Sequence, residues 1–358
     1  MAKPHLHLVA DMGFADCFAE RIESLSLQEK NHIMLVGKRP DKRLTKRNLP
    51  YTNLKDAFTP DPNRFDRIYV HFLLPMVCHW LKKHPDVRIN WVFYGADVYR
   101  NPLVQYDPIG PETKPYLSFN ISDLTRSIGY RLIHRRAWYG ALGQIDAVLW
   151  GNPIEFNLIQ KLIPSCQARF EPFWYGKAAA DFNIPRTAPI KKERSTLSIQ
   201  LGHCAFPSVN HMDFLNHTPE HDAVRYHAPV SYGDMKYSQW LQKQTRERND
   251  LTWMTKRLPI KEFMHHIDQM DAGVFPNIRQ QGLANIRSFL LQGKPVFLHP
   301  ENPSYQELTQ QGVAIGDCRN FSRSAYDSLM AAGTENAALV LALYGEDACN
   351  AQYVRLFS

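Results

Sequence analysis

The sequence predicts an α/β protein of two domains, each built on a parallel sheet. Three observations lead there. Ten short apolar runs, rich in β-branched and aromatic residues, alternate with segments of helical spacing. They fall evenly between the two halves of the chain, separated by YGKAAADFNIPRTAPIKKERS (175–195), which carries two prolines and reads as a hinge. At 358 residues the chain is too long for one ordinary core and suits two.

In the first half the strand candidates are HLHLVA (5–10), HIMLV (32–36), RIYVHF (67–72), INWVFY (89–94) and DAVLW (146–150). In the second they are TLSIQL (196–201), AVRYHA (223–228), DLTWM (250–254), AGVFP (272–276) and PVFLH (295–299). Segments such as 123–142 and 283–292 place apolar residues near helical spacing between them. Strands alternating with helices of this length imply βαβ units. The division expected is 1–175 and 176–358, two Rossmann-like domains facing a cleft.

The run IYVHFLLPMVCHWL (68–81) holds a proline and two histidines in 14 residues. A membrane span needs about 20 apolar residues, so this reads as a strand and then a core helix. The opening MAKPHLHLVADMG has neither the apolar run nor the cleavage pattern of a signal peptide. Six cysteines lie far apart without a CxxC pair, which argues for reduced thiols in a cytoplasm and against a zinc site.

Net charge is +7, and residues 1–175 hold 23 Lys/Arg against 17 Asp/Glu. Much of the excess lies in KRPDKRLTKR, with Lys38, Arg39, Lys42, Arg43, Lys46 and Arg47 against one aspartate. A solvated loop is one reading; contact with an anionic membrane surface is the functional one. Neither interleaved aromatics nor a reading helix accompanies the basic residues, so nucleic acid is not the expected partner.

Ligands of such sheets sit at the carboxyl ends of strands, and four strand ends in the second half are unusually polar. Gly202 opens GHCAFPSVNH, where a glycine allows close backbone approach and a following helix start offers amides to an anion. Ser231, Tyr232 and Gly233 place a hydroxyl, a ring and a flexible backbone at the next end. NIRQQG is the sharpest signal: Arg279 offers a fork for two phosphate oxygens, and Gln280 and Gln281 are amides that need partners. Gly282 then opens a helix in which Asn285 lies one turn along. Glu301 and Asn302 are placed for sugar hydroxyls. The alternatives are a surface arginine paired to a carboxylate and an ordinary PENP turn.

Together these features point to a phosphorylated, polyhydroxylated ligand: a nucleotide sugar. GxGxxG is absent, which removes support for a nicotinamide or flavin enzyme, and no cofactor is expected. No two aspartates stand one residue apart, so a DxD metal site has no support and no metal ligands are assigned. Arg279 and helix N-termini would stabilise a leaving diphosphate instead.

The run IRQQGLANIRSFLLQGKPVFLHPENPSYQEL, with PVSYGDMKY and GADVY (95–99), resembles the bacterial glycosyltransferase family 56. The resemblance implies a GT-B fold and inversion at the anomeric carbon. It also implies transfer of an acetamido-dideoxyhexose or fucose-type sugar, of the dTDP-Fuc4NAc kind. The implied acceptor is an undecaprenyl-pyrophosphate-linked saccharide, met by a peripheral enzyme at the cytoplasmic face of the inner membrane. Carried over, the donor-side residues are Gly202, Ser208, His211, Ser231, Tyr232, Gly233, Arg279, Gln280, Gln281, Gly282, Glu301 and Asn302, with Tyr237 in the PVSYGDMKY run. Phe206, and Asn285 with the residues around it, depart from the family pattern and leave the donor sugar open. An inverting transfer needs a general base, and Asp97, ending a first-half strand in YGAD, is the candidate. Its alternative is a loop or helix cap; Asp11, Asp16 and His71 are rivals. An epimerase of the same fold, or a nucleotide-sugar-binding protein without activity, are the competing readings.

Overall fold

The computed structural model describes residues 3–37, 44–54, 59–117, 121–174 and 195–358. Of the basic stretch only Lys46 and Arg47 fall among them; Lys38, Arg39, Lys42 and Arg43 lie outside, as does nearly all of the expected hinge. The chain divides into two compact units.

The first unit holds strands β1 (His5–Ala10), β2 (Asn31–Val36), β3 (Tyr51–Thr52), β4 (Ile68–His71), β5 (Ile89–Val92), β6 (Ile145–Trp150) and β7 (Arg169–Pro172). They form one parallel sheet in the order β3-β2-β1-β4-β5-β6-β7. The second holds β8 (Leu197–Leu201), β9 (Val224–Pro229), β10 (Leu251–Met254), β11 (Ala272–Phe275), β12 (Val296–Leu298) and β13 (Gly316–Asp317). Its order is β10-β9-β8-β11-β12-β13, again parallel. Each sheet winds outward from its first strand in two directions. The crevice of each therefore opens at a topological switch point, between β1 and β4 and between β8 and β11.

All ten expected strands form. Three further ones, β3, β7 and β13, are sheet edges that left little trace: two are two residues long, and β7 ends in Pro172, which an edge tolerates.

Alternation along the first sheet separates two cores. Leu6, Leu8, Ile68, Val70, Trp91 and Val148 face one side; Val9, Tyr69, Val92 and Leu149 face the other. The second face is closed by the helix Glu346–Phe357, through Cys349, Tyr353, Leu356 and Phe357. Asn31 Nδ2 donates to the Phe357 carbonyl at 2.8 Å, and the Tyr69 hydroxyl donates to that of Leu356 at 2.9 Å. Residues 346–358 thus belong with the first unit, and residues 107–120 with the second, where Thr113 donates to Asp213 at 2.6 Å. A contiguous division at 175 does not place either segment; each follows the surface it covers rather than its sequence neighbours. Among the described residues no helix is long and apolar enough to cross a membrane, and none of the six cysteines stands in a disulfide.

His7 sits in the second face, stacked on Tyr69 at 4.8 Å. Its Nε2 meets Asn31 Oδ1 at 2.8 Å and its Nδ1 meets His71 Nε2 at 3.0 Å. Because the Asn31 amide nitrogen donates to two carbonyls, its oxygen accepts, so His7 carries its proton on Nε2 and accepts from His71. Burial lowers the His7 pKa to about 3 and that of His71 well below its ordinary value. His203 and His211 in the second unit are likewise lowered to about 3 by burial. The unfolded chain, titrating near 6.5, then binds more protons below that pH, so stability is full above it and falls as the medium is acidified. Each such histidine costs about 2 kcal/mol by pH 5. Asp97 and Glu307, raised by burial to about 6 and about 7, act in the opposite sense but are fewer. The urea midpoint is therefore expected to drop between pH 7 and pH 5. A flat midpoint over that interval would show that the interior accepts these protons.

Candidate functional site

The polar strand ends of the second sheet converge at its switch point. β8 runs buried to Leu201 and stops at Gly202, whose φ of +67° suits glycine. A Cβ there would stand 2.7 Å from His211 Nε2 and from Val209 Cγ1, so the loop returns tightly over its own start. His211 opens a short helix and is fully buried; neither ring nitrogen has a hydrogen-bond partner. His203, also buried, has an unpartnered Nδ1. Burial keeps both imidazoles neutral, and the Arg279 charge pushes His203 the same way.

The turn after β11 is built on buried amides. Asn277 Nδ2 donates to the Arg279 carbonyl at 2.8 Å. Asn302 Nδ2 donates to the carbonyls of Asn277 and Arg279, at 2.8 and 3.1 Å, while its Oδ1 caps the helix Pro303–Gln310 through Ser304 N. Gln280 accepts from the Ser304 hydroxyl at 2.8 Å. Gln281 reaches the other way, donating to the Ser208 carbonyl at 2.9 Å and accepting from the Ser208 hydroxyl at 3.2 Å. Arg279 is 8% exposed, and its Nε donates to the same Ser208 oxygen at 3.3 Å. Arginine, serine and glutamine thus tie the ends of β8 and β11 together.

Gly282 ends this turn with φ +73°; a Cβ would lie 2.8 Å from His203 Nδ1. It is the N-cap of the helix Leu283–Leu291, and no side chain caps that helix. Its first amides and the favourable end of its dipole are open at the Arg279 turn. Asn285, one turn along, accepts from Gln200 Nε2 at 3.1 Å.

The β9 end joins this cluster through the backbone: Ala205 N donates to the Tyr232 carbonyl and Asp234 N to that of Ala205, each at 2.8 Å. Tyr232 and Gly233 are exposed and Ser231 is partly so. Glu301 is exposed at the end of β12.

Two of the anticipated donor contacts point elsewhere. Tyr237 is fully buried between Tyr116 and Trp240, at 4.9 and 5.7 Å, and is core. Asn302 is also fully buried and spends its amide on the Arg279 turn, which makes it a support rather than a reader of hydroxyls. In the first unit, Asp97 is buried and accepts from Trp91 Nε1 at 2.8 Å and from the amides of Leu73 and Tyr94 at 3.3 Å. That is the geometry of the loop anchor, the alternative to the general base. Its rivals are engaged too: Asp11 accepts from Leu44 and Thr45, Asp16 from the amides of Lys46 and Arg47, and His71 pairs with His7. His203 and Asn277 were not singled out from the sequence. Their signal was a polar residue where a buried strand gives way to its loop.

The family described as 4-alpha-L-fucosyltransferase, glycosyl transferase group 56, matches residues 141–322, just over half of the chain. Among solved structures, sucrose-phosphate synthase from Thermosynechococcus elongatus is similar at a TM-score of 0.60 and 10% identity, over 99% of this chain and 98% of that one. Apo OtsA gives 0.61 and 11% over 100% and 98%. Anabaena HepE, solved with UDP and glucose, gives 0.58 and 13% over 99% and 98%. At these identities the likeness is one of fold, and that fold is GT-B. With the family match and the fold in agreement, the chain belongs to glycosyl transferase group 56 and is a glycosyltransferase.

Proposed function

We propose that the second unit binds the diphosphate of a nucleotide sugar at the ends of β8 and β11. The chain then transfers, with inversion, an acetamido-dideoxyhexose or fucose-type sugar, of the dTDP-Fuc4NAc kind. The acceptor is an undecaprenyl-pyrophosphate-linked oligosaccharide of a surface polysaccharide, of the enterobacterial common antigen type, met at the cytoplasmic face of the inner membrane. The observation that carries this reading is the meeting of Arg279, the Ser208 hydroxyl and the uncapped helix start at Gly282. A guanidinium and several amides on one anion stabilise the charge that develops as the sugar–phosphate bond breaks. The neutral His203 and His211 leave Arg279 as the fixed cation of this cluster and offer buried ring nitrogens for a polar ligand. Ser231, Tyr232, Glu301 and Asn285 are assigned to the nucleoside and sugar. The absence of any DxD pair in the sequence supports transfer without a metal.

Arg279→Ala is expected to lower turnover by roughly 100-fold, the usual scale for one lost charge-stabilising donor, with a smaller effect on donor binding. Arg279→Lys keeps charge without the fork and should retain part of the activity. Kinetics of both variants at saturating acceptor, with and without EDTA, check this; full activity in the alanine variant, or strict metal dependence of the wild type, would overturn it.

Asp97→Asn separates anchor from base. The three donors to its carboxylate make a lower melting temperature the expected result, by a few degrees for the loss of about 1–3 kcal/mol, with turnover per folded molecule near wild type. An unchanged melting temperature with turnover down roughly 100-fold would restore the base assignment.

The basic stretch 38–47 is assigned to the anionic membrane surface. Arg47 pairs with Glu23 at 2.5 Å, so the attraction falls mainly on the other five cations. Reversing Lys42, Arg43, Lys46 and Arg47 to Glu should weaken salt-sensitive vesicle binding while sparing transfer to a water-soluble acceptor. Equal binding by both proteins would reduce the stretch to a solvated loop.

A further inference from the structure

The helix Ile121–Leu142 is apolar on two sides. Ala137, Trp138, Ala141 and Leu142 are buried in the first core, where the helix lies against Pro75–Leu81. On the outward side Ile128, Leu132 and Tyr139 recur at helical spacing, which sets them in one stripe. They are 49%, 80% and 42% exposed, and the adjacent Ile133 is 66% exposed. Single exposed apolar residues need no explanation, but three in one stripe form a patch, with Ile133 at its side.

Its charge says what covers it. Arg135 lies within the stripe, and Arg131 and Arg136 flank it on either side. Residues 127–142 contain three arginines and no aspartate or glutamate, and the helix's one acid, Asp123, stands in its first turn. A helix face meant for water mixes both signs, whereas this one combines apolar side chains with guanidinium groups; Arg131 meets the Pro102 carbonyl at 2.8 Å, and Arg135 and Arg136 are exposed. That combination suits an interface of acyl chains and phosphates.

We propose that this face docks the first unit on a membrane of anionic phospholipid, with Ile128, Leu132 and Tyr139 entering the acyl boundary and Arg135 and Arg136 on the phosphates. It deepens the lipid-linked acceptor reading, yet stands on a helix that the reading does not use. It differs from the basic stretch in kind, because apolar insertion survives salt that screens charge.

The test is flotation of the whole protein with vesicles of phosphatidylcholine alone and of equimolar phosphatidylcholine and phosphatidylglycerol, without donor or acceptor. Wild type should float with the anionic vesicles. The variant Ile128→Ser with Leu132→Ser should partition about tenfold more weakly or worse. Arg135→Glu with Arg136→Glu should lose the preference for anionic lipid. Both should keep wild-type transfer to a water-soluble acceptor, since neither pair lies in the donor site. Failure of wild type to float, or equal flotation of the serine variant, would overturn the proposal. So would a wild-type dimer by light scattering that the serine variant splits, since a second copy would then cover the face. Flotation is read without catalysis, so a protein that floats but transfers nothing would sink the transferase reading and leave the docking face intact.

Discussion

A charged residue at the end of a buried strand can be placed only if the backbone around it is satisfied. The carbonyls of Asn277 and Arg279 turn toward the interior, and the side-chain amide of Asn302, from the end of the neighbouring strand, meets both. Left alone, each would cost on the order of a hydrogen bond. The same asparagine caps the following helix, so the ends of β11 and β12 are locked in one register. The consecutive glutamines part in opposite directions, Gln280 to Ser304 and Gln281 to Ser208. Two amides in a row at a buried edge thus have separate tasks: one closes the turn against its own neighbour, the other staples it to the loop after β8. Arg279 is held by its surroundings before any ligand arrives, which is the condition for electrostatic preorganisation.

This explains which parts of the molecule were legible in the sequence. Runs such as AGVFP and TLSIQL are apolar because both faces of a parallel sheet are covered, so their pattern survives without context. Short edges such as Gly316–Asp317 bury too little to leave one. Segments 107–120 and 346–358 were misplaced because pattern reveals what a segment is, whereas the surface it covers is a matter of three dimensions. At the site, the rule that ligands gather at carboxyl strand ends located the polar loops, but position does not reveal side-chain direction. Asn302 and Asp97 follow the expected ends and turn inward, and Tyr237, in the helix after β9, does the same. His203 passed unnoticed between Gly202 and Cys204, although burial and the Arg279 charge make it part of the cluster.

The electrostatic design of the two units differs accordingly. The second unit holds its cation deep, at 8% exposure, beside imidazoles that burial keeps uncharged. The first unit carries most of the net positive charge, with arginines on the outward side of the helix Ile121–Leu142 and lysines in the basic stretch 38–47. A buried fork reads geometry, while an exposed row of cations reads only surface charge.

The helix Glu346–Phe357 has a consequence for the order in which the molecule is made. It supplies Tyr353, Leu356 and Phe357 to a core whose other members were synthesised long before, and its carbonyls receive Asn31 and Tyr69. As the ribosome delivers the chain, one face of the first sheet therefore stays uncovered while the whole second unit emerges. Domains usually fold as units in the order they appear; here the second can complete its core before the first. A fragment that stops short of Glu346 would leave apolar sheet surface exposed to aggregation, even with the second unit complete.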